Sequence, residues 1–172
     1  MPRKKLSRQA LQAKLKNIRM VIMDVDGVLT DGRIIIDAHG IEYKSFDVHD
    51  GYGIARAREK GILFAIISGR ESKTVDHRAK RLKIVDVHQN RIDKVAAYVE
   101  IKEKYHLEDS EVCFIGDDEF DIPLLETVGV SVAPANAMSA VKHRVQLVTS
   151  KEGGRGAVRE LLDRILKAKS LL

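Results

Sequence analysis

Three short apolar runs constrain this chain most, because each ends in the same kind of turn. Val21-Ile22-Met23 leads into Asp24-Val25-Asp26-Gly27, Phe64-Ala65-Ile66-Ile67 into Ser68-Gly69-Arg70, and Val112-Cys113-Phe114-Ile115 into Gly116-Asp117-Asp118. A continuous apolar run of this length, stopped by glycine, reads as a strand buried on both faces. Strands of that kind belong to parallel sheets covered by helices. Their carboxyl ends are where open α/β sheets bind ligands. Asp24 and Asp26 alternate in direction if the strand continues, and the Gly27 bend can bring both carboxyls over one site. Two acids so placed repel each other and call for a cation. A solvated Asx turn is the plainer alternative for that run alone.

The rest of the chain reads as alternating elements. A leader helix precedes a strand at 20–24. Segments 33–36 and 41–46 form a hairpin around Ala38-His39-Gly40. Helices are expected at 53–60, 71–82, 91–104, 120–127, 137–143 and 156–169, with Gly61 stopping the first. Strands are expected at 62–67, 84–87, 111–115, 129–132 and 145–148. The fold class is therefore α/β, a Rossmann-like parallel sheet with helices on both faces and a small β-hairpin flap. Asp24 to Ser68 is 44 residues and Ser68 to Lys94 is 26, intervals that the sheet's own elements use up. No room remains for a cap domain.

Charge sorts the partners. The net charge is +5, yet the first 19 residues hold seven cations and no acid, and the remaining 23 cations face 25 acids. The basic character belongs to a leader, residues 1–17, which reads as a solvated, partly helical tail ahead of one domain at 18–172. With 5% aromatics and no Trp, the domain lacks the basic, stacking face of a nucleic-acid binder. No apolar run reaches membrane-span length, and the amino end lacks a secretory apolar core. The single cysteine, Cys113, lies within an apolar strand and reads as a buried structural thiol. These features fit a cytoplasmic protein.

The ordered set of DxD at Asp24-Val25-Asp26, Ser68, Lys94 and Gly116-Asp117-Asp118-Glu119-Phe120-Asp121 resembles the haloacid dehalogenase superfamily, in its capless branch. The longer stretches Asp26–Gly32, Phe46–Ile54, Asp117–Pro123 and Gly153–Glu160 resemble the 3-deoxy-D-manno-octulosonate 8-phosphate phosphatases. The resemblance covers roughly residues 18 to 166. Phosphatases of nine-carbon sugar acid phosphates are related, as is a domain fused to animal acylneuraminate cytidylyltransferases.

The resemblance implies a phosphomonoesterase dependent on Mg2+. Asp24 would be the nucleophile, since a carboxylate can hold an aspartyl-phosphate. Asp26 would be the acid and then the base. Ser68 and the Gly69 amide would bind the phosphoryl group, and Lys94 would neutralise its charge. Asp24, the carbonyl of Asp26, and Asp117 would ligate the metal, with Asp118 or Asp121 orienting Lys94 or reaching the ion through water. Helix capping is the plainer role for Asp117–Asp121. In the resembling family the loop Asp47, His49, Asp50 and Gly51, with Arg70 and Arg78, lines the sugar acid. Arg155 in the Gly153–Gly156 loop would complete an anion site, simple turn chemistry being the alternative. The chain departs from the resembling family at His49, where Arg is usual, at Asp47, where Asn is frequent, and at Ala55, where Arg is frequent. The family forms homotetramers in which a neighbour's elements cover the open site. The hairpin isoleucines Ile34, Ile35, Ile36 and Ile41 are expected to pack against another subunit. The alternatives are a nine-carbon substrate, a non-catalytic assembly domain, or an RNA-associated protein using the leader.

Overall fold

The computed structural model describes residues 6–172. Six parallel strands form one sheet: β1 (Met20–Met23), β4 (Leu63–Ile67), β5 (Asp86–His88), β6 (Val112–Ile115), β7 (Val130–Ala133) and β8 (Leu147–Val148). Between β1 and β4 lies a separate two-stranded hairpin, β2 (Ile35–Ile36) and β3 (Glu42–Tyr43). The sheet order is β5-β4-β1-β6-β7-β8. The chain therefore winds outward from β1 on one side, then returns to build β6 to β8 on the other. β1 is central, with Met20 in register with Leu63 on one side and Val112 on the other.

Strand alternation assigns the core. Val21, Met23, Phe64, Ile66, Cys113 and Ile115 face one layer, with α2 (Val48–Glu59), α3 (Lys73–Leu82) and α7 (Ala157–Ala168). Met20, Ile22, Ala65, Ile67, Val112 and Phe114 face the other, with α4 (Lys94–Tyr105), α5 (Ile122–Thr127) and α6 (Ser139–Lys142). Both faces of the central strands are covered, which explains their unbroken apolar runs. Burial pushes the Cys113 thiol up, as suits an inert core residue.

Three sequence expectations are corrected. The described part of the leader, residues 6–17, is helical as expected but docked on the domain rather than a solvated tail. Ser7 caps α1 (Arg8–Asn17), Leu15 and Ile18 enter the core, and α1 packs on α7. Lys14 donates to the Gly129 carbonyl at 3.0 Å, and Asn17 donates to the Ser110 carbonyl at 3.2 Å. The leader's first residues, with Arg3, Lys4 and Lys5, lie outside the described residues. Second, α2 begins at Val48 rather than near 53, so the expected substrate loop is largely the first turn of a helix. Gly51 and Gly53 disguise that start, and close packing explains them. A Cβ at 51 would lie 2.5 Å from the Arg78 guanidinium, and one at 53 would lie 2.9 Å from Arg159. Third, the hairpin strands are only two residues each. No helix among the described residues is long and apolar enough to cross a membrane.

Candidate active site

Asp24 follows β1 directly and is buried. Lys94, the first residue of α4, reaches it across the strand ends at 3.0 Å. Asp93 caps that helix, accepting from the amides of Val95 and Ala96 at 3.1 and 3.2 Å. The cap fixes where α4 starts and so where the ammonium points. Asp121 accepts a second bond from Lys94 at 2.6 Å. The ammonium also lies 4.7 Å from the centre of the Phe120 ring. Burial opposes the charge on Lys94, but Asp24 and Asp121 outweigh it and hold its pKa above the ordinary value.

Asp117 follows β6 and sits against Gly27. A Cβ at Gly27, whose φ is +84°, would lie 2.0 Å from the Asp117 carboxylate, so only glycine leaves that carboxylate its place. Asp117 Oδ1 is buried with no hydrogen-bond partner among the described residues. Burial, then the nearby Asp24, Asp121 and Asp118 charges, raise its pKa to about 8. Burial raises Asp24 to about 7, with Lys94 working the other way. One oxygen each from Asp24, Asp117 and Asp121 lie within 4.8 Å of one another.

This donor set fits a hard divalent cation: three acids crowd together, Lys94 pairs with two of them, and a buried oxygen of the third has no partner among the described residues. Asp121 belongs to the cluster by distance but not by valence. Its Oδ1 holds Lys94, and its Oδ2 accepts from the amides of Asp117 and Asp118 at 2.9 and 3.2 Å. Asp24 and Asp117 are the carboxylates left for a metal. Asp118 caps the following turn by accepting from Glu119 N at 2.7 Å, so the capping role falls to it and the free carboxyl to Asp117.

The other expected residues divide. Ser68 is buried at the end of β4, and its hydroxyl accepts from Arg70 N at 3.3 Å. Arg70 spans Asp26, at 3.7 Å, and Glu42, at 2.5 Å. Arg78 donates to the Asp47 carbonyl at 3.0 Å and lies over Phe46, bracing the first turn of α2. Asp47 is the N-cap of α2. His49 is exposed beside Asp47. Asp50 is buried, accepts from Arg159 N at 2.7 Å, and has its pKa raised by burial to about 6. Its carboxyl turns to the first turn of α7 rather than to open space. Arg155 is exposed, 3.7 Å from Asp31.

The Gly153-Gly154 pair packs on the Asp24–Gly27 turn. A Cβ at 153 would fall 1.8 Å from the Gly27 carbonyl, and Gly154 N donates to Val28 O at 2.9 Å. Close backbone approach explains these glycines, and the α7 amide that an anion would seek at Arg159 is already bound to Asp50. Sequence reasoning missed Lys44, whose side chain is 3% exposed and lies 2.5 Å from Asp26 and 3.0 Å from Glu42. The i, i+2 pair Glu42 and Lys44, alternating with Ile41 and Tyr43, was the available signal.

A profile of haloacid dehalogenase-like hydrolases matches residues 79–161. The chain is 44% identical over 162 residues to the 3-deoxy-D-manno-octulosonate 8-phosphate phosphatase KdsC of Salmonella typhi, covering 94% of this chain and 86% of the relative. It belongs to this phosphatase family. The crystal structure of the Yersinia pestis phosphatase of that name superposes with a TM-score of 0.93 at 42% identity, covering 95% of this chain and 88% of that one. The Moraxella catarrhalis phosphatase, solved in complex with magnesium, phosphate and KDO, superposes at 0.93 with 39% identity, covering 95% and 94%.

Proposed function

We propose that this chain is a magnesium-dependent phosphomonoesterase that hydrolyses 3-deoxy-D-manno-octulosonate 8-phosphate to the free sugar acid and phosphate. The observation that carries this reading is the buried centre of Asp24, Lys94, Asp121 and Asp117 at the ends of β1 and β6, within a chain 44% identical to such phosphatases. A non-catalytic assembly domain would have no use for a buried ammonium paired with two carboxylates beside a third carboxylate whose buried oxygen has no partner among the described residues.

The chemistry follows from the residues. A carboxylate oxygen of Asp24 forms a bond to phosphorus while the bond to the sugar oxygen breaks. Asp26 gives its proton to that oxygen, releasing the alcohol. Water then attacks the aspartyl-phosphate, its proton passes to Asp26, and the Asp24–phosphorus bond breaks. Lys94 and Ser68 face the charge on the phosphoryl oxygens. Asp24 and Asp117, with the main-chain carbonyl of Asp26, would hold magnesium, which supplies the positive charge that keeps both carboxylates ionised and draws in an anionic substrate. Arg70, beside Asp26, suits a substrate carrying a second anion, the carboxylate, and Arg78, His49 and Arg155 are the further cations we assign to that anion.

The capless site is open, and the hairpin offers what could cover a neighbour's. Ile34, Ile35, Ile36 and Ile41 are 51–60% exposed, so they do not fold back on their own sheet. Burying each against another subunit is worth up to roughly 1.5–3 kcal/mol. A cytoplasmic homotetramer closed by these hairpins is the assembly we propose, serving lipopolysaccharide biosynthesis. One second reading, the phosphate of a nine-carbon sugar acid, rests on the two expected cations that are weakened or missing at His49 and Ala55. A panel of eight- and nine-carbon sugar acid phosphates, assayed with magnesium and with EDTA, tests both. Highest kcat/KM on the eight-carbon substrate, abolished by EDTA, is expected. Preference for the nine-carbon acid would move the assignment, and full turnover in EDTA would refute the metal.

A further inference from the structure

Asp26 stands apart from the other acids of the site. Asp24 and Asp121 are held by Lys94, and Asp117 is wedged against Gly27. Asp26 is held instead from outside the sheet, by the hairpin. Strand alternation after the Gly40 turn puts Glu42 and Lys44 on one face and Ile41 and Tyr43 on the other. The apolar face is exposed, while the charged face turns to the site. Lys44 threads its stem inward until its side chain is 3% exposed, and the ammonium meets Asp26 Oδ1 at 2.5 Å and Glu42 Oε1 at 3.0 Å. Arg70 reaches from the other side, its Nη1 3.7 Å from Asp26 Oδ2 and its Nη2 2.5 Å from Glu42 Oε2.

The contacts are unequal. Oδ1 has a short, charge-assisted bond to a buried donor, whereas Oδ2 has only a loose ion pair to an arginine that is partly exposed. An ammonium buried this far needs its carboxylates, since the charge would otherwise stand desolvated and unpaired. The arrangement is therefore specified from both ends: Asp26 fixes Lys44, and Lys44 fixes Asp26.

We infer that Lys44 is a positioning residue for the proton-transfer step: it anchors Asp26 through Oδ1 and so leaves Oδ2 to face the leaving oxygen of the substrate. This rests on the reading of Asp26 as the acid and base. Proton donation to an alkoxide leaving group is sensitive to where the carboxyl stands, and a displacement near 1 Å is worth about 10²-fold in rate. Binding of the phosphoryl group by Lys94 and Ser68 does not pass through Lys44. Glu42 accepts from both cations and keeps them from clasping the phosphate themselves.

The test separates positioning of Asp26 from general charge or folding effects. Lys44→Met and Lys44→Gln remove the charge; Lys44→Arg keeps it. Each is assayed on the sugar phosphate, whose alcohol needs a proton, and on p-nitrophenyl phosphate, whose leaving group does not. Asp26→Asn is run beside them, and melting curves confirm folding. The expected result for Lys44→Met and Lys44→Gln is a loss in kcat of about 30- to 100-fold on the sugar phosphate, with KM within about threefold. The pre-steady-state release of nitrophenolate should change less than about threefold, and Lys44→Arg should recover part of the sugar phosphate rate. Equal losses on both substrates, a rise in KM alone, or no loss would overturn the inference while leaving Asp26 in place. Full activity in Asp26→Asn would instead remove Asp26 itself from the mechanism, and the role of Lys44 with it.

Discussion

The centre at the strand ends and the hairpin above it solve opposite problems. Asp24, Lys94, Asp121 and Asp117 are carried by the ends of β1 and β6 and the start of α4, and their positions are dictated by a core buried on both faces. The hairpin is two residues per strand, tethered to the centre by Lys44, Glu42 and Arg70, and shows its isoleucines outward. One region concentrates charge in the interior; the other displays apolar surface outside. Rigid scaffolding makes the first feasible, because a buried ammonium and its carboxylates need fixed geometry. The second makes sense only in terms of what it touches next. On the reading proposed above, chemistry belongs to the sheet, and coverage and proton positioning to the flap.

Substitutions in the centre should have the largest effects. Asp24→Asn keeps the shape and removes the nucleophile, so kcat should fall by roughly 10⁴-fold or more with the fold intact. Asp121→Asn leaves Lys94 with one carboxylate in a dry site; a loss of about 3 kcal/mol in stability by denaturant titration, together with a fall in kcat, is expected. Gly27→Ala should push Asp117 out of place. A drop in kcat of about 10²-fold and a higher magnesium requirement are expected, whereas an unchanged magnesium titration would show that Asp117 is not a ligand.

The flap should behave otherwise. Replacing Ile34, Ile36 and Ile41 with Ser should change the stability of the single chain by less than about 0.5 kcal/mol, since these side chains are exposed. Sedimentation should then show a smaller species, and turnover of the sugar phosphate should drop more than that of p-nitrophenyl phosphate. A tetramer that survives the triple substitution would separate the hairpin from assembly.

The pH dependence of stability bears on the centre alone. Asp24 and Asp117 are raised from 3.8 to about 7 and about 8. The metal-free folded chain therefore holds protons that the unfolded chain releases above pH 4. Stability from these groups is full below the unfolded pKa and is lost as pH rises through the folded ones, so melting temperature in EDTA should decline between about pH 4 and 8. Magnesium should flatten that decline, adding about 2.7 kcal/mol at a hundredfold excess over its Kd at pH 8. A melting temperature in EDTA that rises over this window would contradict the placement of the two buried acids.

The strands, the layering and the residues at the strand ends were legible because burial on both faces writes itself as unbroken apolar runs. Asp24 and Asp117 could be placed for the same reason, since each stands where such a run ends; Lys94, which reads in isolation as a solvated helix residue, was singled out by the resemblance. What could not be read depended on packing between distant segments. Gly51 and Gly53 look like a loop until Arg78 and Arg159 are seen filling the space above them. Leu15 and Ile18 are too few among cations to announce a docked helix, yet α7 supplies the surface they need. Gly153 and Gly154 suggest an anion loop until Gly27 is found beneath them. Lys44 sits between Tyr43 and Ser45 as a solvent-facing hairpin residue would, and only the hairpin's direction turns it inward.

Rapid quenching of the enzyme with substrate labelled at the phosphate, in magnesium, followed by peptide mapping, tests the division of labour at its root. The label should appear transiently on one acid-stable, base-labile acyl phosphate at Asp24, and should accumulate when Asp26 is replaced by Asn and the substrate has a good leaving group. Label on any other residue, or direct release of phosphate with no enzyme-bound label at any time, would contradict the assignment of the nucleophile to the end of the central strand.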